Sequence, residues 1–300
     1  MATSSKGLST GIVLMLTAAV FFVAAWSAVK AVGHRIPFME ISFFRGIISF
    51  LFILPLTQKY AGTFRGRQPL PLFLYAFFGA TSVILGVYSL SHMELGNAAA
   101  LSNTMPIFVA LLAPLIIREP FRPQNFGFVL LAFFGICLIY KPNAGVLQLA
   151  ALAALIAGFC TAICMTLVRK LHQQNNTYTI TLYFTGFVAL VTAIPCFQNF
   201  VWPVGGEWFW LVVTGAAVSI AQLLATASFR YGEAAIISPF AYATVVFSYL
   251  AGGTFWREIP DPLSLVGAAL IVVSGIILTG LSRRKVQTST LATTEQEATS

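Results

Sequence analysis

The sequence predicts an all-α integral membrane protein in which ten transmembrane helices form two inverted five-helix repeats. The prediction rests on an apolar composition, ten apolar segments of membrane-spanning length, and a motif near residue 95 that is repeated in similar form near residue 231. Hydrophobic residues make up 58% of the 300 residues and charged residues only 9%, whereas soluble domains carry about 25% charged residues. With a mean hydropathy of +0.86, the chain is expected to cross a membrane many times.

Ten apolar segments are long enough, or nearly so, to cross the hydrocarbon core, which takes roughly 20 helical residues. The first of them is longer than a signal-peptide core and no small-x-small cleavage site follows it, so we expect it to be retained. The connections are too short for a soluble domain, and the polar composition of residues 283–300 predicts a disordered tail. The ten segments are 9–33, 37–56, 70–90, 97–117, 124–140, 146–168, 178–197, 207–229, 234–256 and 261–281.

The positive charges are divided unevenly between the two sides of these segments. Twelve of the 17 Lys and Arg residues fall on the side shared by both termini, four on the other, and Arg45 lies within a segment. The positive-inside rule therefore predicts cytoplasmic termini, and we expect the bacterial inner membrane as the location. The same asymmetry explains the net charge of +8. Because no basic cluster is interleaved with stacking aromatics, we expect no binding of nucleic acid.

An internal duplication organises the chain. Leu95–Ser102 reads LGNAAALS and is followed by an apolar stretch that closes on Arg118-Glu119; Tyr231–Ser238 reads YGEAAIIS and is followed by one that closes on Arg257-Glu258. Further positions match at offsets between 136 and 140, among them Pro55 with Pro195, Gly79 with Gly215, Gly127 with Gly267 and Gly135 with Gly275. We therefore divide the spans into repeats at residues 1–142 and 143–282.

The number of spans in each repeat sets their relative orientation. Because five is odd, the second copy must enter the membrane from the side opposite to the first. Inverted repeats of this kind are typical of transporters, whose solute site lies between the halves and is exposed to each side in turn.

The repeated unit resembles the EamA-type half-domain of the drug/metabolite transporter superfamily. The matching features are a small-residue start, a Pro in the following span, Arg-Glu at its end and a glycine-spaced last helix, together with the Arg of Phe43-Phe44-Arg45 in the second span. The resemblance covers the chain to about Leu281 and implies a ten-helix carrier with a central cavity that moves a small metabolite, often outward. One departure is the spacing from Pro to Glu, which is 13 residues for Pro106 and 19 for Pro239.

Charged residues within spans are the first candidates for the substrate site, because they are costly in hydrocarbon and usually face a cavity or a partner. Arg45 lies eight residues into its helix, about 12 Å deep. It could anchor a substrate carboxylate or phosphate, or it could tie helix-end carbonyls together. Glu40 lies near the start of the same helix, where it could be an interfacial residue or the site of proton coupling, and at i, i+5 it points away from Arg45.

Four uncharged residues complete the candidate site. Trp26 lies roughly 10 Å inside its span and either stacks on substrate or packs between helices. Asn103, Gln222 and Tyr242 lie well within spans four, eight and nine, and each could contact substrate or hydrogen-bond between helices. Pro106 and Pro239 remove a backbone hydrogen bond and could act as hinges, whereas the repeated glycines are expected to allow close helix packing.

These features favour a secondary transporter of a small organic metabolite such as an amino acid, an aromatic compound or a metallophore, and an exporter in particular. The alternative within the class is an uptake carrier or exchanger for a compound such as an adenosyl or flavin metabolite. An integral-membrane enzyme would need paired acid and base groups or a metal cluster, which the isolated histidines do not offer. We expect no cofactor and no metal, a small-molecule substrate and the bilayer as partners, and a monomer or homodimer.

Overall fold

The fold was analysed on a computed structural model that describes residues 5–61, 66–105, 108, 123–140, 146–171, 174–228, 231, 238–274 and 276–277. Every regular element in this part of the chain is helical. The α-helices are α1 Ser5–Val32, α2 Phe38–Ala61, α3 Pro69–His92, α4 Leu95–Ser102, α5 Pro123–Tyr140, α6 Val146–Leu171, α7 Thr177–Gln198, α8 Glu207–Ser228, α9 Ala243–Trp256 and α10 Pro262–Ser274, and a 3₁₀ turn at Ser238–Tyr242 precedes α9.

The helix boundaries follow the local sequence. α3 begins with proline in its first turn, where the missing N–H would have no partner in any case. α7 begins after Asn176, whose side-chain oxygen accepts a hydrogen bond from Tyr178 N at 3.2 Å, as an N-cap should. In the described part of the chain, α1, α2, α3, α7 and α8 are long and apolar enough to cross a bilayer. Their bounds lie within five residues of the predicted spans.

Helix packing shows how the two repeats are related. α1 packs against α8, α3 against α6, α2 against α7, and α4 against α9. Since α1–α5 correspond to α6–α10, exchanging the two halves turns the α1–α8 contact into the α6–α3 contact and leaves the other two pairs unchanged. The halves are thus arranged about a pseudo-two-fold axis, which confirms the inverted-repeat architecture predicted from the duplication.

The last helices of the two repeats, α5 and α10, meet at a pair of glycines. A Cβ added to Gly135 would lie 2.6 Å from the carbonyl oxygen of Gly267, and a Cβ added to Gly267 would lie 2.6 Å from that of Gly135. The two helices therefore approach each other closely at these glycines. Gly127, which was also expected to serve helix packing, is exposed, and none of the described residues lies within 4 Å of a Cβ added there. Gly275 lies outside the described residues.

The helices that carry the duplicated motif are interrupted. α4 ends at Ser102 and is followed by a turn at Asn103 and Thr104. Pro106 itself lies outside the described residues. Pro239 lies in the 3₁₀ turn before α9 rather than at a bend inside a regular helix. Helices broken near the membrane centre are common at transporter substrate sites.

We name the end of the bundle at which α1 finishes the distal end. It comprises the connections 33–37, 93–94, 199–206 and 257–261, which approach one another through the polar contacts described below. The N-terminus of α1 lies at the opposite end. The interior between the two ends is filled by one large cluster of aliphatic and aromatic side chains drawn from both repeats.

Candidate functional site

A small, partly open cavity lies between α2, α3, α7 and α8. α2 and α7 are equivalent helices of the two repeats, as are α3 and α8, so the cavity lies on the pseudo-two-fold axis. This is where a transporter built from inverted repeats holds its solute. The lining residues are Arg45, Gly46, Ser49, Ile53, Val83, Thr181, Phe184, Thr185, Val188, Val218, Ser219 and Gln222.

Close helix contacts shape the cavity wall next to Arg45. A Cβ added to Gly46 would lie 2.8 Å from the backbone nitrogen of Ala189, so glycine is needed for α2 to approach α7. On the other side of α2, a Cβ added to Gly215 would lie 2.6 Å from Ile48 Cβ and 3.5 Å from the carbonyl oxygen of Arg45. The backbone around Arg45 is therefore held between helices of the second repeat.

Among the described residues that line the cavity, Arg45 alone carries a charge. No ion pair or hydrogen bond of its guanidinium is found in the described part of the chain. The alternative in which Arg45 ties helix-end carbonyls together therefore lacks the contacts that it requires. By the repeat offset of 140 residues, Thr185 occupies the equivalent position on α7, so the positive charge belongs to one half only.

The hydroxyl groups of the lining have already donated their hydrogens to backbone carbonyls. Ser49 and Ser219 both donate to Gly215 O, at 3.1 and 2.8 Å. Thr181 donates to Thr177 O at 2.9 Å and Thr185 to Thr181 O at 3.0 Å. Serine and threonine in helices often make such bonds to the preceding turn. Their oxygens remain able to accept hydrogen bonds from a solute.

The structure brings Arg45 and Gln222 together in the cavity, on helices from opposite repeats. It places three other candidates outside the lining. Trp26 packs against the main hydrophobic cluster, with its ring centroid 6.0 Å from that of Phe22. Asn103 follows the end of α4 and donates its amide to Ala99 O at 2.8 Å. Tyr242 is 5% exposed in the same cluster, and its hydroxyl has no hydrogen-bond partner among the described residues.

Glu40 lies at the distal end, also away from the cavity lining. It is fully buried, and its Oε2 accepts a hydrogen bond from Val201 N at 3.0 Å. Next to it, Arg35 forms an ion pair with Glu207 and donates to Trp202 O at 3.0 Å. The hydrogen bond to the Glu207 carboxylate raises the pKa of Arg35. Glu40 and this ion pair together fix the 199–206 connection to the start of α2.

A second polar cluster joins the two repeats at the distal end, and we name its three residues, Lys30, Leu95 and Glu258, the distal latch. Lys30 and Glu258 form an ion pair whose side chains are only 16% and 14% exposed. Glu258 also accepts a hydrogen bond from Leu95 N, at the start of α4, at 2.9 Å. Lys30 donates to Met93 O at 2.7 Å. The side chain of Glu258 therefore caps the first turn of a helix in the other repeat.

Apart from Gln222, sequence reasoning missed the uncharged residues of the cavity lining. Ser49 follows Arg45 by four residues and therefore lies on the same helix face, which was a usable signal. Thr185 could have been found as the repeat equivalent of Arg45. Ser219, Thr181 and Phe184 carry no such signal, because a hydroxyl or a phenyl ring on an apolar helix is common. In the described part of the chain, no group of His, Cys, Asp or Glu could hold a metal ion.

Comparison with known proteins agrees with this architecture. The model of the EamA-like transporter family matches twice, at residues 9–141 and 148–280. A solved crystal structure that is 19% identical in sequence superimposes with a TM-score of 0.65, over 92% of this chain and 98% of its own. That likeness supports the fold alone.

Three curated relatives are transporters. The pseudopaline exporter CntI of Pseudomonas aeruginosa is 31% identical over 275 residues, covering 90% of this chain and 96% of the relative. The S-adenosylmethionine uptake transporter of Rickettsia bellii is 26% identical, covering 83% and 86%. The riboflavin transporter of Vibrio cholerae is 26% identical, covering 92% and 94%. The chain, with its twofold family match and its ten-helix architecture, belongs to the EamA-like transporter family and is a transporter of small molecules, not an enzyme.

Proposed function

We propose that this chain is a secondary carrier that exports a small organic metabolite across the bacterial inner membrane by alternating access. The observation that carries the proposal is the cavity between α2, α3, α7 and α8, because it lies where the two repeats meet. In this proposal the termini are cytoplasmic and the distal end faces outward. The repeats 1–142 and 143–282 are the units that move, and the chain works as a monomer or homodimer without nucleic acid.

The contacts at the distal end of the bundle support this mode of action. There, the distal latch and the Arg35–Glu207 ion pair hold the two halves together. A solute in the cavity can leave on that side only when contacts of this kind are broken. Of the six candidate site residues, Arg45 and Gln222 are proposed to contact the solute, while Trp26, Asn103, Tyr242 and Glu40 are proposed to support the helices around it.

The relatives suggest two possible directions of transport, export and uptake. Export is favoured by the pseudopaline exporter, which at 31% identity is more similar to this chain than the S-adenosylmethionine uptake and riboflavin transporters at 26%. Uptake or exchange is the alternative, and the S-adenosylmethionine uptake transporter favours uptake. Counterflow measured with labelled substrate inside, and then outside, oriented proteoliposomes distinguishes export from uptake.

Transport itself is tested with purified protein. A metabolite library is first screened by thermal unfolding in detergent, because a ligand that binds only the folded state raises the unfolding midpoint. Each ligand found is then assayed for counterflow in proteoliposomes. We expect Thr185→Trp, which fills the cavity, to lower counterflow at least about tenfold, since the loss of even 1.4 kcal/mol of binding has that effect.

Leu190→Trp is the matched control for this variant. Leu190 lies on the same helix, and at 68% exposure it faces away from the protein interior. It should keep wild-type counterflow. Equal activity of Thr185→Trp and Leu190→Trp would show that the solute does not pass through this cavity.

A further inference from the structure

The half-buried cation in the cavity lining indicates the charge of the solute. Arg45 has no ion-pair partner in the described part of the chain, and the described residues of the cavity lining include no carboxylate. A charged side chain at membrane depth is costly unless it is paired or hydrated. A positive charge that the protein leaves unpaired in its own solute cavity is therefore available to pair with a bound anion.

The chemistry of the guanidinium group limits the classes of anion that can bind to Arg45. Arginine presents a planar set of five N–H donors that match the two oxygens of a carboxylate or phosphate, and such bonds are stronger than those between neutral groups. A cationic solute would instead meet repulsion in a site with low dielectric constant. The site therefore selects for a carboxylate or phosphate and against a net cation.

The hydroxyl groups contribute a second requirement. Ser49, Ser219, Thr181 and Thr185 donate their hydrogens to backbone carbonyls, so they can offer only acceptor oxygens to a solute. A solute that satisfies them must bring hydrogen-bond donors of its own. An ammonium or hydroxyl group meets this condition, whereas a purely hydrocarbon anion does not. The apolar side chains of Ile53, Val83 and Phe184 also line the cavity, where they can contact an uncharged part of the solute.

We propose that the solute is an organic carboxylate or phosphate that also carries ammonium or hydroxyl donors, with its anionic group held by Arg45 and its donors directed to the serine and threonine oxygens. The proposal rests on the proposed function, because it assigns the substrate class of the same cavity. Zwitterions such as amino acids and their derivatives fit this description. Amines without an acidic group do not.

The first test concerns the protein without ligand. If Arg45 served the structure, Arg45→Gln would lower the unfolding midpoint in detergent. Because its charge has no partner in the described part of the chain, we expect Arg45→Gln to unfold at the wild-type temperature or above it. Arg45→Lys keeps the charge and should therefore gain no stability over the wild type. A clear fall in the midpoint of Arg45→Gln would overturn the proposal.

The second test uses ligand sets with a common skeleton. Each ligand found in the library is compared with its amide, which lacks the negative charge, and with its deaminated or deoxygenated analogue, which lacks the donor. The parent compound should bind most tightly and the amide most weakly. Arg45→Gln should weaken binding of the parent by about 10- to 100-fold, the value of a hydrogen bond to a charged group. Arg45→Lys should keep part of the affinity, and Lys59→Gln, at the end of α2, should keep all of it.

Each of the remaining outcomes overturns either the charge assignment of the solute or the carrier proposal. A library in which no carboxylate or phosphate raises the midpoint, or in which the amides bind as well as the acids, overturns the charge assignment. If phosphatidylglycerol alone stabilises the protein, the bound anion is a lipid headgroup, and the charge assignment of the solute is overturned as well. If neutral or cationic ligands are exchanged across liposomes, transport stands and only the charge assignment fails. If an anion binds through Arg45 but is not exchanged, the carrier proposal fails and the anion site stands.

Discussion

Glu258→Gln is expected to lower the free energy of unfolding by about 2–4 kcal/mol, because removing one partner of a buried ion pair leaves the other charge uncompensated. Lys30 would keep only its hydrogen bond to Met93 O. The change also weakens the acceptor of Leu95 N, at the first turn of α4. Thermal unfolding of the purified protein in detergent measures the effect.

The Arg35–Glu207 pair provides the matched control for the latch. It lies at the same end of the bundle, but Arg35 is 36% exposed, and exposed ion pairs contribute little to stability because water and salt screen them. Glu207→Gln should therefore have a much smaller effect than Glu258→Gln. The double variant Lys30→Met with Glu258→Gln should regain part of the lost stability, since no unpaired charge remains. Equal effects of Glu258→Gln and Glu207→Gln would show that the latch is no stronger than a surface contact.

Gly135→Ala is expected to destabilise the protein by about 1–3 kcal/mol, which is typical when extra atoms are forced into a packed interface. The new methyl group would lie 2.6 Å from the carbonyl oxygen of Gly267, and a backbone atom cannot turn aside as a flexible side chain can. α5 and α10 would have to separate. Thermal unfolding and the yield of monodisperse protein report the change.

Gly127→Ala is the control on the same helix. Gly127 has open space around it, and alanine is a better helix former than glycine by about 1 kcal/mol. This variant should be as stable as the wild type or more stable. If Gly135→Ala were equally harmless, the contact between the two glycines would not contribute to the assembly of the repeats.

The sequence predicted the fold well because its signals are local and repeated. Long apolar segments define the spans, and the matched motifs around Leu95 and Tyr231 define the duplication. The ends of α1, α3 and α8 differ from prediction by at most four residues, since a change from apolar to polar residues ends each of them. The interruption after α4 was less predictable. At this interruption Asn103 donates to Ala99 O and Thr104 to Leu101 O, and neither bond is evident from the sequence.

The candidate site was harder to predict for a physical reason. In a membrane protein, polar side chains that face a cavity and polar side chains that bond to their own helix have the same sequence signature. Asn103 is of the second kind, whereas Gln222 lines the cavity. Only a charge stands out, because its cost in hydrocarbon is large enough to require an explanation. Arg45 was recognised on that ground. The latch was not, because Lys30 and Glu258 each read as residues at the end of a span.

The presence of Arg45 in one repeat and Thr185 at the equivalent place in the other has a consequence for the transport cycle. In the proposed cycle, a solute held by Arg45 would stay attached to the first half, while its contacts with α7 would belong to the second. As the halves tilt against each other, the distance between these two sets of contacts would change, so the two access states would bind the same solute with unequal strength.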